Sequence, residues 1–107
     1  MLDLLIKNGK CYINGQLKDV NISVKDGKIQ KIGQITEDAK DTIDATGLIV
    51  LPGCMDTQTH FREPGSTDTE DLHSGSRAAI VGGITSVFEM PNTNPPTSTK
   101  KEFQRKL

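Results

Sequence analysis

The rhythm of the chain changes at Pro52-Gly53, and that change constrains the fold more than any overall property. Before it, short apolar runs alternate with glycine turns. A run over 2–7 is followed by Asn8-Gly9, which reads as a tight hairpin turn. A short strand over 11–13 ends at Asn14-Gly15. Val20, Ile22 and Val24 then alternate with Asn21, Ser23 and Lys25, a period of two that sets one face on a core and the other in water. Asp26-Gly27 is a further hairpin signal, and Ile29 and Ile32 continue a strand that stops near Gly33. Two more strands are expected over 42–44 and 48–51. Many short strands with glycine turns argue for a small sandwich or roll.

Beyond Gly53 the order is strand, loop, helix, strand, loop, helix. A strand over 54–59 leads to a Pro/Gly loop over 61–67. A helix is expected over 69–81, capped by Asp68 or Thr69, with Glu70 and Asp71 favourable in its first turn. Leu72, Ser76, Ala79 and Ile80 give it an apolar stripe, and Gly82-Gly83 ends it. A strand over 84–90 has a buried centre at Ser86-Val87-Phe88. An Asn/Pro loop over 91–96 precedes a last helix that Ser98 or Thr99 can cap. Strand, crossover helix and strand in about 30 residues make a βαβ unit with parallel strands. Such a unit needs its edges covered, so the expectation is a segment of a longer chain.

Other function classes fall away on charge and composition. A net charge of -1 and a pI near 6.1 leave no electrostatic footprint for nucleic acid, and no basic run suits a membrane surface. Hydrophobic residues are only 34% and there is no Trp, which is lean for a self-sufficient core. The first residues are no signal peptide, and no apolar run approaches the roughly 18 residues of a membrane span, so a cytoplasmic protein is expected. Cys11 and Cys54 form no CxxC pair and are expected to be reduced, partly buried thiols.

Two loops, each directly after a strand, carry the chemistry: one holds His60, Arg62 and Glu63, the other Asn92, Thr93 and Asn94. If the strand runs through them, residues 56, 58, 60 and 62 share a face. An acid, an amide, an imidazole and a guanidinium in a row are costly to bury unless paired or bound to something. Each also has a plain structural reading. His60 could pack, Arg62 could pair with Glu63 or Asp56, and Asn92 could be a turn residue after Pro91. Asp56 is expected to orient its neighbours through hydrogen bonds, Glu63 to shape its loop, and His73 to be a solvated helix residue.

Taken together, the strings resemble one family. Asp56-Thr57-Gln58-Thr59-His60-Phe61-Arg62-Glu63-Pro64-Gly65 is similar to the metal-binding opening of the amidohydrolase superfamily in its dihydroorotase version. Glu89-Met90-Pro91-Asn92-Thr93-Asn94-Pro95-Pro96-Thr97 resembles a second segment of the same family, and Leu51-Pro52-Gly53 its usual entry to the barrel. The resemblance implies an α/β fold: a β-sandwich-like N-terminal domain over 1–51, then over 52–107 the first two β/α units of a (β/α)8 barrel, incomplete in this chain, since a whole barrel takes about 250 residues.

It also implies a hydrolase of cyclic amides with zinc as cofactor, cleaving dihydroorotate to N-carbamoyl-aspartate and back, in which a metal-bound water is the nucleophile. His60 matches the second metal-binding histidine, and Arg62 and Asn92 match residues that bind the substrate carboxylate. Gln58 stands where the first histidine would be, and a glutamine is a poor zinc ligand. Three readings stay open: metal held through His60 and residues elsewhere, weak metal binding with Gln58 placing water or substrate, or a site that has lost its metal. The general acid/base of such hydrolases has no candidate here, so the 107 residues alone are expected to be inactive. The alternatives are an allantoinase or dihydropyrimidinase, and a noncatalytic subunit that scaffolds a carbamoyltransferase. A small-molecule substrate is implied, and the resemblance allows a homo-oligomer.

Overall fold

A computed structural model describes residues 1–107. The chain divides into two compact units, Met1–Pro52 and Gly53–Leu107.

The first unit is built of strands alone: β1 (Leu2–Lys7), β2 (Lys10–Ile13), β3 (Gln16–Asp19), β4 (Asn21–Lys25), β5 (Lys28–Gly33), β6 (Ala39–Asp44) and β7 (Ile49–Val50). They make two sheets, ordered β5-β4-β1-β6 and β3-β2-β7. Tyr12, Ile13 and Val50 of one sheet and Ile22, Ile29 and Ile32 of the other line a shared apolar cavity. The fully buried side chains are few: Leu2, Cys11 and Ser23. Two hairpins owe their form to their turn residues. Asn14-Gly15 (φ 49° and 80°) and Asp26-Gly27 (φ 51° and 71°) both place two left-handed residues between paired strands, the geometry that matches strand twist.

Asn8-Gly9 departs from that pattern. No hairpin forms there, because β1 pairs with β4 and β6 while β2 pairs with β3 and β7. Asn8 (φ 64°) turns the chain from one sheet to the other, and its side-chain amide donates to Asp44 Oδ1 at 3.1 Å. Gly9 is needed for close approach, since a Cβ would lie 2.7 Å from Val50 Cγ2 and 2.9 Å from the Ala45 Cβ. β4 also differs from simple alternation. Ser23, expected in water, is 1% exposed, and its hydroxyl donates to the Lys31 carbonyl at 3.4 Å. As an inner strand β4 is covered on both faces at that point, and the hydrogen bond offsets the burial of the hydroxyl. β3 (Gln-Leu-Lys-Asp) carries no apolar alternation; its pairing to β2 is a backbone matter.

Asp3 ties three segments of this unit. Its carboxylate accepts from the Asp26 amide at 2.7 Å and from Lys40 Nζ at 3.0 Å, with Lys25 Nζ at 3.6 Å. The Asp26 amide and then Lys40 lower its pKa to about 2 from 3.8. A depressed carboxylate pKa contributes stability above the unfolded value, lost as pH falls through the folded one. The first unit should therefore lose stability between pH 3.8 and about 2, and Asp3→Asn should flatten that slope. Denaturation midpoints across that window check this; an unchanged slope in the variant would refute it.

The second unit has β8 (Cys54–Thr59), α1 (Leu72–Val81), β9 (Ile84–Glu89) and α2 (Lys100–Lys106), with β8 and β9 parallel. α1 starts later than its sequence suggests. Ser66 O accepts from the Thr69 and Glu70 amides, so that stretch is a turn, and Asp71 is the cap. Its carboxylate accepts from Ser74 N at 2.7 Å while Ser74 Oγ accepts from Asp71 N, a reciprocal capping box. The Ser74 amide lowers the Asp71 pKa. Thr99 caps α2 by accepting from Glu102 N. Ser76, Ala79 and Ile80 of α1 line a shallow cavity with Phe61, Ile84 and Val87. The centre of β9 is not buried: Phe88 is 55% exposed, because a two-stranded sheet with one crossover helix lacks a second layer over it. Cys54, expected to be partly buried, is exposed for the same reason, while Cys11 is buried. No helix is long and apolar enough to cross a membrane.

Candidate functional site

Parallel pairing brings the loops after β8 and β9 to the same end of the second unit. The pairing carries on past the strands, for Met90 N donates to Thr59 O at 2.8 Å. Asn94 N donates to Pro64 O at 3.0 Å and ties the two loops together.

His60, half-buried, comes directly after β8, and its Nδ1 lies 2.7 Å from Asn92 Oδ1. A carbonyl oxygen only accepts, so with the amide in this orientation the neutral ring has its proton on Nδ1 and its lone pair on Nε2. Arg62 has φ 63°, a left-handed conformation that ends the strand alternation. The expected row of residues 56, 58, 60 and 62 is broken twice, at the register shift between Asp56 and Thr59 and again, beyond the end of β8, at Arg62. Its guanidinium is exposed and pairs with neither Glu63 nor Asp56; the ion pairs of this chain belong to Lys10, Lys25, Lys40, Arg105 and Lys106. Glu63 instead accepts from the Leu72 amide at 2.7 Å, at the start of α1. Asp56 accepts from the Gln58 amide at 3.0 Å, where the register of β8 and β9 shifts. The Gln58 side chain is exposed. His73 is exposed on α1.

Beneath the loops lies a cluster given no role by sequence reasoning. The Glu89 carboxylate, at the end of β9, accepts from Phe61 N at 3.0 and 3.2 Å and from Thr59 Oγ1 at 3.4 Å. Lys106 Nζ of α2 lies 3.1 Å from it, and the two side chains are 18% and 9% exposed. A desolvated carboxylate so bonded fixes the backbone on which His60 sits. A glutamate closing a strand whose sequence suggested a buried centre was the available signal. Close packing fixes the other side of Phe61, since a Cβ on Gly75 would lie 2.5 Å from Phe61 Cδ1.

His60 can offer one nitrogen to a cation. No three of the His, Cys, Asp and Glu side chains converge anywhere in the chain, so these residues do not by themselves make a metal site.

The chain is similar to known proteins in both sequence and fold. The sequence pattern of the amidohydrolase family matches residues 49–106. An allantoinase of Escherichia coli O1:K1 / APEC is 48% identical over 106 residues, covering 98% of this chain and 23% of that protein. A dihydroorotase of Streptococcus pneumoniae serotype 4 is 49% identical over 107 residues, covering 97% and 25%. The solved L-hydantoinase (dihydropyrimidinase) from Arthrobacter aurescens is similar in structure, with a TM-score of 0.88 at 36% identity, over 99% of this chain and 24% of that one. The chain thus spans about a quarter of the length of these relatives. A mixed α/β chain with a strand-rich start, two loops joined at one end of a parallel strand pair, and a family pattern over more than half its length lead to one conclusion: the chain belongs to the amidohydrolase family.

Proposed function

We propose that these residues are the first part of a cytoplasmic dihydroorotase, which interconverts dihydroorotate and N-carbamoyl-L-aspartate in pyrimidine synthesis. In this reading the first unit belongs to a small β domain and the second supplies the first two β/α units of a (β/α)8 barrel. The observation that carries it is Arg62: an exposed guanidinium without an anionic partner, two residues beyond His60. A planar fork of donors suits a carboxylate, which dihydroorotate has and neither allantoin nor dihydrouracil has. Asn92 Nδ2 makes no hydrogen bond within the chain and would donate beside it. Hydrolysis adds water to the ring carbonyl and breaks its C–N bond, the nitrogen leaving with a proton. His60 Nε2 would give one ligand to a zinc ion, the other ligands and the acid/base lying outside these residues.

Two other readings have support of their own. An allantoinase or dihydropyrimidinase is favoured by the names of similar proteins. A noncatalytic subunit that scaffolds a carbamoyltransferase is favoured by Gln58. The test is metal content and turnover of the whole protein, before and after Gln58→His, with dihydroorotate, allantoin and dihydrouracil as substrates. Stoichiometric zinc with turnover of dihydroorotate alone is expected in the parent. Turnover of allantoin or dihydrouracil instead would sink the dihydroorotase reading. Metal gained only by Gln58→His would mark a decayed site.

A further inference from the structure

We infer that Asn92 is a positioning residue for His60, one amide serving two partners through its opposite ends. Its Oδ1 lies 2.7 Å from His60 Nδ1. The bond spans 32 positions of sequence and two separate loops, so the chain backbone does not impose it. It is imposed by the parallel strand pair, extended by Met90 N to Thr59 O, together with the Asn94 N to Pro64 O bond between the loops. Below His60, the two Phe61 N contacts to Glu89 hold the backbone from which the ring projects. Both ends of the His60–Asn92 contact are therefore anchored independently of the contact itself.

The chemical consequence concerns which ring nitrogen is free. A neutral imidazole in water favours the proton on Nε2. An acceptor oxygen at Nδ1 reverses that preference and presents the Nε2 lone pair, the form a cation or a proton donor requires. With Oδ1 turned to the ring, Asn92 can only accept there, so this orientation favours that tautomer and sets the ring plane. Its Nδ2 remains free to donate, and an anion held there would also hold the amide in the orientation His60 needs. Occupancy of the anion position and readiness of His60 are thereby linked through a single planar group. The anion arm rests on the function proposed above; the hold on His60 does not.

The test reads ring-nitrogen shifts of 15N-histidine in the whole protein, freed of metal, at alkaline pH, where imidazole is neutral, with His60→Gln to assign the ring. In the parent, His60 is expected as the Nδ1–H tautomer. Asn92→Ala should make Nε2–H the major form, while Asn92→Asp, which keeps an oxygen acceptor, should restore Nδ1–H. A parent already in the Nε2–H form, or an Asn92→Ala protein with unchanged shifts, overturns the proposal. Both substitutions fall at an exposed loop position, and an unchanged amide spectrum away from the loops confirms the fold. In the whole enzyme, Asn92→Asp should raise KM for dihydroorotate at least tenfold with metal content retained, whereas Asn92→Ala should lower both affinity and metal content. Equal metal loss in the two variants overturns the positioning role. Absence of turnover in the parent would defeat the proposed function and leave the tautomer result standing.

Discussion

Glu89→Ala is expected to destabilise the second unit by about 3 kcal/mol or more, the range seen when one partner of a desolvated ion pair is removed. The size of the effect comes from the groups the substitution strands. Lys106 Nζ, on a side chain only 9% exposed, loses its counter-charge at 3.1 Å. The Phe61 amide loses both its acceptor contacts, and Thr59 Oγ1 keeps only the Phe88 carbonyl. Glu89→Gln should cost less, because an amide oxygen still accepts from Phe61 N while the ion pair is lost. A Glu89→Ala/Lys106→Met pair should recover part of the loss, since it removes both charges from a site that solvates them only in part. Hydrogen exchange of β8 and β9 amides, with denaturant midpoints for the parent and the three variants, measures the effect. A cost below about 1 kcal/mol for Glu89→Ala would mean that the pair is solvated like a surface pair and does not hold the loop.

Sequence periodicity is most informative where local chemistry decides the structure. Asn14-Gly15 and Asp26-Gly27 need two left-handed residues between antiparallel strands, and such turns are written in two letters. Asn8-Gly9 has the same letters and does something else, because β2, which begins just after Gly9, is recruited by a different sheet. That choice depends on Ala45 and Val50, far along the chain, and no local reading contains it. The start of α1 is ambiguous in the sequence for a related reason. Asp68, Thr69 and Asp71 are all good caps, and Glu63 on the Leu72 amide decides among them from outside the helix. The two site loops are legible as motifs, and their order along a βαβ unit places them at one end. Residue alternation fails at the register shift between Asp56 and Thr59 and again at Arg62, where the backbone turns left-handed. The Glu89–Lys106 pair is illegible because its partners come from β9 and α2, and only the folded chain brings them within 3.1 Å.

In the dihydroorotase proposed above, Arg62→Met is expected to lower kcat/KM for dihydroorotate by roughly a hundredfold, about 3 kcal/mol, which lies within the range for truncating one member of a hydrogen-bonded charge pair. Methionine keeps the length of the aliphatic stem and removes only the fork of donors. Because the guanidinium makes no ion pair within the chain, its loss should leave the stability of the second unit unchanged within about 0.5 kcal/mol. The fall should come chiefly through KM, as the carboxylate is bound alike in ground state and transition state. Lysine at the same position should recover only part of the affinity, since a point charge cannot reproduce two parallel hydrogen bonds. A substrate lacking the carboxylate provides the control: its turnover should be equally poor with arginine or methionine at 62. If Arg62→Met leaves KM for dihydroorotate unaltered, the guanidinium has no anionic substrate to meet. The choice among cyclic amides would then pass to allantoin or dihydrouracil, which need no such group.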